Sequence, residues 1–225
     1  GIETMSRIVV YLGPSLSHDK AKAILEADYR PPIRRGDLKK ALKAEIVGII
    51  DGTFFNDSPV AHKEILELLT KGIIVVGGSS MGALRASEMD RFGMVGVGRI
   101  YECYRSGRIE ADDEVAVTYN PVTGEQLSEP LVNIRYQLKA AEMDGVISTP
   151  EKDALISLSS GMHYPDRTYL NILKLAVDKD IMSTEQANNI LMYIDGNPQN
   201  LKAEDAVAVL NKIKELSNPV SPKSR

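Results

Sequence analysis

Apolar residues come in three short, unbroken runs through the first half of the chain: RIVVYLG (7–13), EIVGIIDG (45–52) and GIIVVGG (72–78). Each is rich in β-branched residues and ends in glycine, or in aspartate followed by glycine. Unbroken rather than alternating apolar character marks strands covered on both faces, as in a parallel sheet. Helical patterns around 17–26, 36–44 and 58–71 separate the runs and give a βαβ rhythm. DYRPPIRRGD (28–37) predicts a short strand feeding a proline-rich connection. After Gly98 the pattern changes: 99–107 reads as a short helix and 112–120 as an acidic turn entering a strand. From Ser128 onward the periodicity is helical, predicting helices at 128–143, 149–158, 166–178, 183–195 and 202–217. Thr149-Pro150-Glu151 and Ser183-Thr184-Glu185 have the composition of helix starts. The fold class expected is α/β: a parallel-sheet lobe over 5–125, an α-helical region over 126–217 and a disordered tail over 218–225. GIET ahead of Met5 reads as a cloning leftover.

Composition narrows the function classes. Tryptophan is absent and phenylalanine scarce, so the core must be aliphatic. A net charge of −4 without a long basic run argues against nucleic acid or an anionic membrane as the main partner. A single cysteine, Cys103, excludes an intrachain disulfide and a multi-cysteine metal site. With no secretory signal or membrane span visible, a cytoplasmic protein is the expectation.

The candidate chemistry sits where the third run ends. Gly78, Ser80 and Gly82 fit G-x-S-x-G, the strand-turn-helix elbow that lifts a serine oxygen clear of a sheet. The Met81 and Gly82 N–H groups would open the next helix and point at whatever Ser80 attacks, or hold a bound anion. The plainer reading is a tight turn with Ser80 as the helix N-cap. Gly13-Pro14-Ser15 and Asp51-Gly52 end the other two runs, and ligands gather at such carboxyl ends. A nucleophilic serine needs a base, and the choices are His18, His62, His163 and Lys63. Along 58–71, Ala61, Ile65, Leu68 and Leu69 make the core stripe, with His62 on its flank and Lys63 on the polar arc. Periodicity leaves the base open.

Taken together, several segments resemble the TfuA family: VVYLGPSL (9–16), YRPPIRRGD (29–37), VGIIDGTF (47–54), HKEIL (62–66), SSMGALRASEMDRFGMVGVGRIYECYRSG (79–107), DDEVAV (112–117) and LSEPLVNIR (127–135). The resemblance implies a partner of YcaO-type enzymes in peptide backbone thioamidation, where an amide oxygen is replaced by sulfur. It implies hydrolysis of a thiocarboxylated, ThiS-like sulfur-carrier protein, so that sulfide is released close to YcaO. The family's proposed Ser–Lys pair falls on Ser80 and Lys63. No cofactor is implied for this chain, ATP being used by YcaO, and methyl-coenzyme M reductase is the target implied in methanogenic archaea. If Lys63 serves Ser80, its helix face should be covered by a groove or by the helical region rather than by water.

Supporting roles are expected around the pair. Arg85 would bind the carrier's carboxylate, or pair with Glu88 or Glu64 on the surface. Asp51 would orient Lys63 or cap the following helix, Ser15 N–H would be a second oxyanion donor, and Ser79 and His62 would assist. Asp112-Asp113-Glu114 reads as a solvated turn rather than a metal site. Cys103 reads as a small core residue rather than a persulfide carrier. The alternative function is a non-catalytic adaptor that docks on YcaO and strengthens its grip on the peptide. A nucleotide-binding domain is disfavoured, since neither G-x-G-x-x-G after the first strand nor a Walker A lysine pattern is present.

Overall fold

The computed structural model describes residues 7–54 and 58–218. Strand β1 (Ile8–Tyr11) leads to helix α1 (His18–Ile24) and β2 (Asp28–Arg30). Next come β3 (Ile46–Ile49), α2 (His62–Thr70), β4 (Ile74–Gly78), α3 (Met81–Met89), β5 (Val95–Val97) and α4 (Arg99–Arg105). Helices α5 (Leu131–Met143), α6 (Thr149–Gly161), α7 (Tyr169–Asp178), α8 (Thr184–Gly196) and α9 (Leu201–Ser217) complete the order. The chain divides into two compact units, residues 1–112 with 202–225, and residues 113–201.

The first unit is a five-stranded parallel sheet in the order β2-β1-β3-β4-β5. This is a doubly wound order that reverses direction between β1 and β3, so the carboxyl ends of those strands face a topological switch point. Three of the five strands are the unbroken apolar runs, and β2 is the short strand expected ahead of the proline-rich connection in 28–37. The fifth, Val-Gly-Val, is too short and too glycine-flanked to register as a run. The 36–44 segment is a 3-10 turn over Asp37–Ala41 rather than an α-helix. Residues 112–120 form no strand: Asp112–Glu114 is a 3-10 turn, and only an isolated bridge joins Tyr119 to Gln126.

The last helix departs from the expected division. α9 carries an apolar stripe, Ala206, Val209, Leu210 and Ile213, spaced three and four apart and wholly buried. That stripe packs with Val10, Ile46, Ile50 and Val76 of the sheet. α9 therefore joins the first unit, and the helical unit ends near residue 201 rather than at 217. Gly48 fits this contact, since a Cβ there would lie 2.7 Å from Ile213 Cδ1.

The second unit is built by α5–α8 around an aliphatic core that includes Ile134, Leu155, Ile172 and Ile190. Its helix starts follow the sequence cues. Ser148 Oγ accepts from Glu151 N–H while Glu151 returns the bond to Ser148 N–H, and Ser183 caps α8. The 112–114 carboxylates are not simply solvated. Glu114 is buried and paired with Arg135 at 2.9 Å, and Asp113 is paired with the buried Arg167 at 2.7 Å. Among the described residues no cluster of His, Cys, Asp or Glu is placed to hold a metal ion, and no helix is long and apolar enough to cross a membrane. Cys103 is half-buried. The GIET segment and residues 219–225 of the expected tail lie outside the described residues.

One acid in this unit titrates far from its ordinary range. Lys139 at 2.7 Å and Lys152 at 3.0 Å hold the Glu142 carboxyl down at about 2, from an ordinary 4.5. A carboxyl depressed in the folded state contributes stability above its unfolded value, and that contribution fades as pH falls through its folded value. The melting-temperature difference between wild type and Glu142→Gln is therefore expected to shrink as pH falls from about 4.5 toward 2.

Candidate functional site

Ser80 stands where β4 turns into α3, and the turn there is forced. Ser79 adopts φ +71°, a left-handed conformation that costs a non-glycine residue about 1–3 kcal/mol. Ser80 N–H then closes back on Gly78 O at 2.8 Å, a three-residue turn. The strain falls on Ser79, one residue ahead of the candidate nucleophile. Ser79 Oγ donates to Lys202 O at 2.7 Å and is fully buried, so α9 pins the turn. Two glycines let the turn close. A Cβ at Gly78 would lie 2.3 Å from Val97 O, and one at Gly82 would lie 1.7 Å from Ile49 O.

Ser80 occupies the N-cap position of α3, yet its side chain makes no capping hydrogen bond. The hydroxyl that an ordinary N-cap would spend on the helix is left unspent, in a residue only 2% exposed. Of the donors expected to face it, only one is open. Gly82 N–H donates to Ile50 O at 3.1 Å, and Ser15 N–H donates to Asp51 Oδ2 at 3.1 Å. Both are thereby removed from the expected oxyanion set. Met81 N–H, at the positive end of α3, has no acceptor among the described residues.

Asp51 neither orients Lys63 nor caps α2. Its buried carboxylate accepts from Gly13 N–H at 2.8 Å, from Ser15 N–H and from Ser15 Oγ at 2.7 Å. It staples the β1 loop to the end of β3, closing the switch point with three charge-assisted bonds. α2 is instead capped by Glu64, whose carboxylate accepts Ala61 N–H at 2.7 Å.

No hydrogen bond joins Lys63 to Ser80 among the described residues. Lys63 lies about 160° around α2 from the buried Ile65, on the side of the helix opposite that core residue. It is exposed, with no hydrogen bond or ion pair among the described residues. The expectation that its face would be covered is not met: its place on the polar arc of the helix outweighs the need for a buried base. His62 is also exposed and is paired with Glu88 at 2.9 Å. Arg85 is buried rather than on the surface. Its Nε donates to Val60 O at 3.1 Å and its Nη1 pairs with Glu88 at 3.0 Å, tying α3 to the start of α2. His18 Nε2 lies 2.6 Å from Leu12 O, and no hydrogen bond joins the Ser80 hydroxyl to any histidine.

Two supports of the elbow were not legible in the sequence. Lys202 O holds Ser79 from 123 positions away. Asp205 accepts Arg99 N–H at 3.1 Å and Ile100 N–H at 2.8 Å, capping α4 across a similar separation. Burial pushes the Asp205 carboxyl up, opposed by those two N–H groups. No local pattern signals either contact. The positive φ of Gly98, whose Cβ would lie 2.6 Å from Asp205 Cγ, is its trace.

With this geometry in hand, the family comparison is decisive. The TfuA-like protein family matches residues 51–168, just over half of the chain, and so spans α2, the elbow and α3. The chain belongs to the TfuA-like family. Membership links it to peptide thioamidation and to a role associated with YcaO enzymes. No curated protein matches the chain.

The staple is open to a direct test. Asp51→Ala leaves two buried donors and one half-buried donor without an acceptor and is expected to cost about 3 kcal/mol or more. Ser15→Ala removes one of the three bonds and is expected to cost about 1 kcal/mol. Urea unfolding of the two variants beside wild type measures both.

Proposed function

We propose that this chain hydrolyses a thiocarboxylated, ThiS-like sulfur-carrier protein, with Ser80 as the nucleophile, and releases sulfide for a YcaO enzyme. The observation that carries this reading is the Ser80 hydroxyl, uncommitted at a helix N-terminus beside the open Met81 N–H.

The reaction runs in two steps. Ser80 Oγ adds to the thiocarboxylate carbon, and Met81 N–H donates to the oxygen that gains charge. The serine proton passes to a base and from it to the thiocarboxylate sulfur, the C–S bond breaks, and sulfide leaves as HS−. Water then adds to the ester, the Oγ–C bond breaks, Ser80 recovers a proton, and the carrier is freed as its carboxylate with one proton released. Lys63 is the base in this scheme. A lysine acts as a base when water is excluded from it and its amine is within hydrogen-bond reach of the proton it takes. The bound carrier must therefore both cover the α2 face that is open in the free chain and turn the Lys63 side chain toward Ser80. ATP is consumed by the YcaO partner, and this chain uses no cofactor of its own. Methyl-coenzyme M reductase is the peptide target this reading carries forward from the family resemblance.

The exposure of Lys63 is what favours the second reading, a non-catalytic adaptor that docks on YcaO and binds the carrier or peptide. Sulfide release from a thiocarboxylated ThiS-like carrier separates the two. Wild type is expected to release sulfide, and Ser80→Ala and Lys63→Ala to fall by about a hundredfold or more while still binding the carrier. No release by wild type, with the carrier still bound, establishes the adaptor.

A further inference from the structure

The chain is acidic overall, yet one stretch of it is not. Between Arg34 and Lys43 stand five cations, Arg34, Arg35, Lys39, Lys40 and Lys43, against the single acid Asp37. All five are exposed, and none has an ion pair among the described residues. Exposed cations without partners repel one another, so a dense set of them marks a surface kept for an anion.

The first two are fixed beside the elbow. Asp37 accepts Arg34 N–H at 2.8 Å, Arg35 N–H donates to Ser58 O at 3.0 Å, and Gly36 N–H donates to Glu64 of α2 at 2.5 Å. The arginine loop is thus bound to the start of the helix that carries Lys63. One residue earlier, Ile33 makes a parallel bridge with Gly52, donating to Asp51 O at 2.9 Å and accepting from Thr53 N–H at 3.0 Å. Gly52 in turn lies against Met81, where a Cβ would meet Met81 Cγ at 2.7 Å. One rung therefore separates Arg34 from the residue that follows Ser80. Asp37 and Glu64, in the same loop and helix start, accept backbone N–H groups, and neither guanidinium group has an ion pair among the described residues.

We infer that Arg34 and Arg35, with Lys63, form a cationic rim that receives an acidic face of the sulfur-carrier protein and leads its carboxylate-ended tail toward Ser80. This rests on the function proposed above. A protein fits better than a nucleic acid: no aromatic residue lies between Arg34 and Lys43 to stack on bases, and the net charge of −4 opposes a long polyanion.

The test measures binding of a recombinant ThiS-like carrier in its carboxylate form, at low and moderate salt, to three proteins. These are wild type, Arg34→Glu with Arg35→Glu, and Lys174→Glu with Lys179→Glu, the last an equal charge change on exposed residues of the helical unit. Circular dichroism melting confirms that each is folded. The arginine variant is expected to lose affinity by about tenfold or more and to lose most of the salt dependence, while the lysine control binds like wild type. Equal binding by the arginine variant and wild type overturns the rim, as does failure of wild type to bind the carrier. Tighter binding of single-stranded DNA than of carrier through the same arginines overturns it in favour of a nucleic-acid surface. Arginine-dependent binding without sulfide release from the thiocarboxylate supports the rim and removes the Ser80 chemistry; sulfide release with arginine-independent binding does the reverse.

Discussion

The structure around Ser80 depends on one close backbone approach, that of α3 to the end of β3. Gly82 has no side chain to hold the helix off, so its N–H reaches Ile50 O. That contact draws the first turn of α3 over the carboxyl edge of the sheet and forces the chain to reverse within three residues. The reversal places Ser79 in a left-handed conformation and leaves Ser80 at the N-cap position with its hydroxyl unspent. The strain is offset from outside the turn, where α9 supplies Lys202 O to Ser79. Backbone strain at a site persists only when its surroundings over-determine it, and here a helix from the far end of the chain does so.

The same contact decides what chemistry is available. An elbow serine has two backbone donors to recruit, and the close approach consumes the one from Gly82. Asp51 consumes the one from Ser15. What remains is a serine hydroxyl and a single open N–H at the positive end of a helix. In the proposed reaction the serine proton, relayed to sulfur, lets sulfide leave as HS−, so no separate acid is needed. The bound carrier completes the site in that reaction, covering Lys63 and meeting Arg34 and Arg35 in the loop that is bound to the start of α2.

Much of this was legible in the sequence, for reasons that are local. The three apolar runs became β1, β3 and β4 because strands covered on both faces need no alternation. The helix starts at Ser148 and Ser183 followed from their side-chain oxygens. The periodicity of α2 placed Lys63 on its polar arc, and Lys63 is exposed. The features that escaped are set by distant partners. β5 exists because β4 offers it an edge, since Val-Gly-Val has no pattern of its own. α9 has the stripe of any amphipathic helix, and nothing in it tells that the stripe meets the sheet rather than its helical neighbours. The donor set was over-counted because a sequence shows which N–H groups start a helix, not which already have acceptors.

The central claim is that the Ser80 hydroxyl is the reacting group. The most direct measurement mixes the protein with a thiocarboxylated ThiS-like carrier, quenches in acid at short times, and maps any covalent adduct by peptide mass spectrometry. The account predicts a carrier acyl ester on Ser80 that appears before sulfide release is complete and is absent from Ser80→Ala. Sulfide released at the same rate by Ser80→Ala, with no modification of Ser80 in wild type, would contradict it.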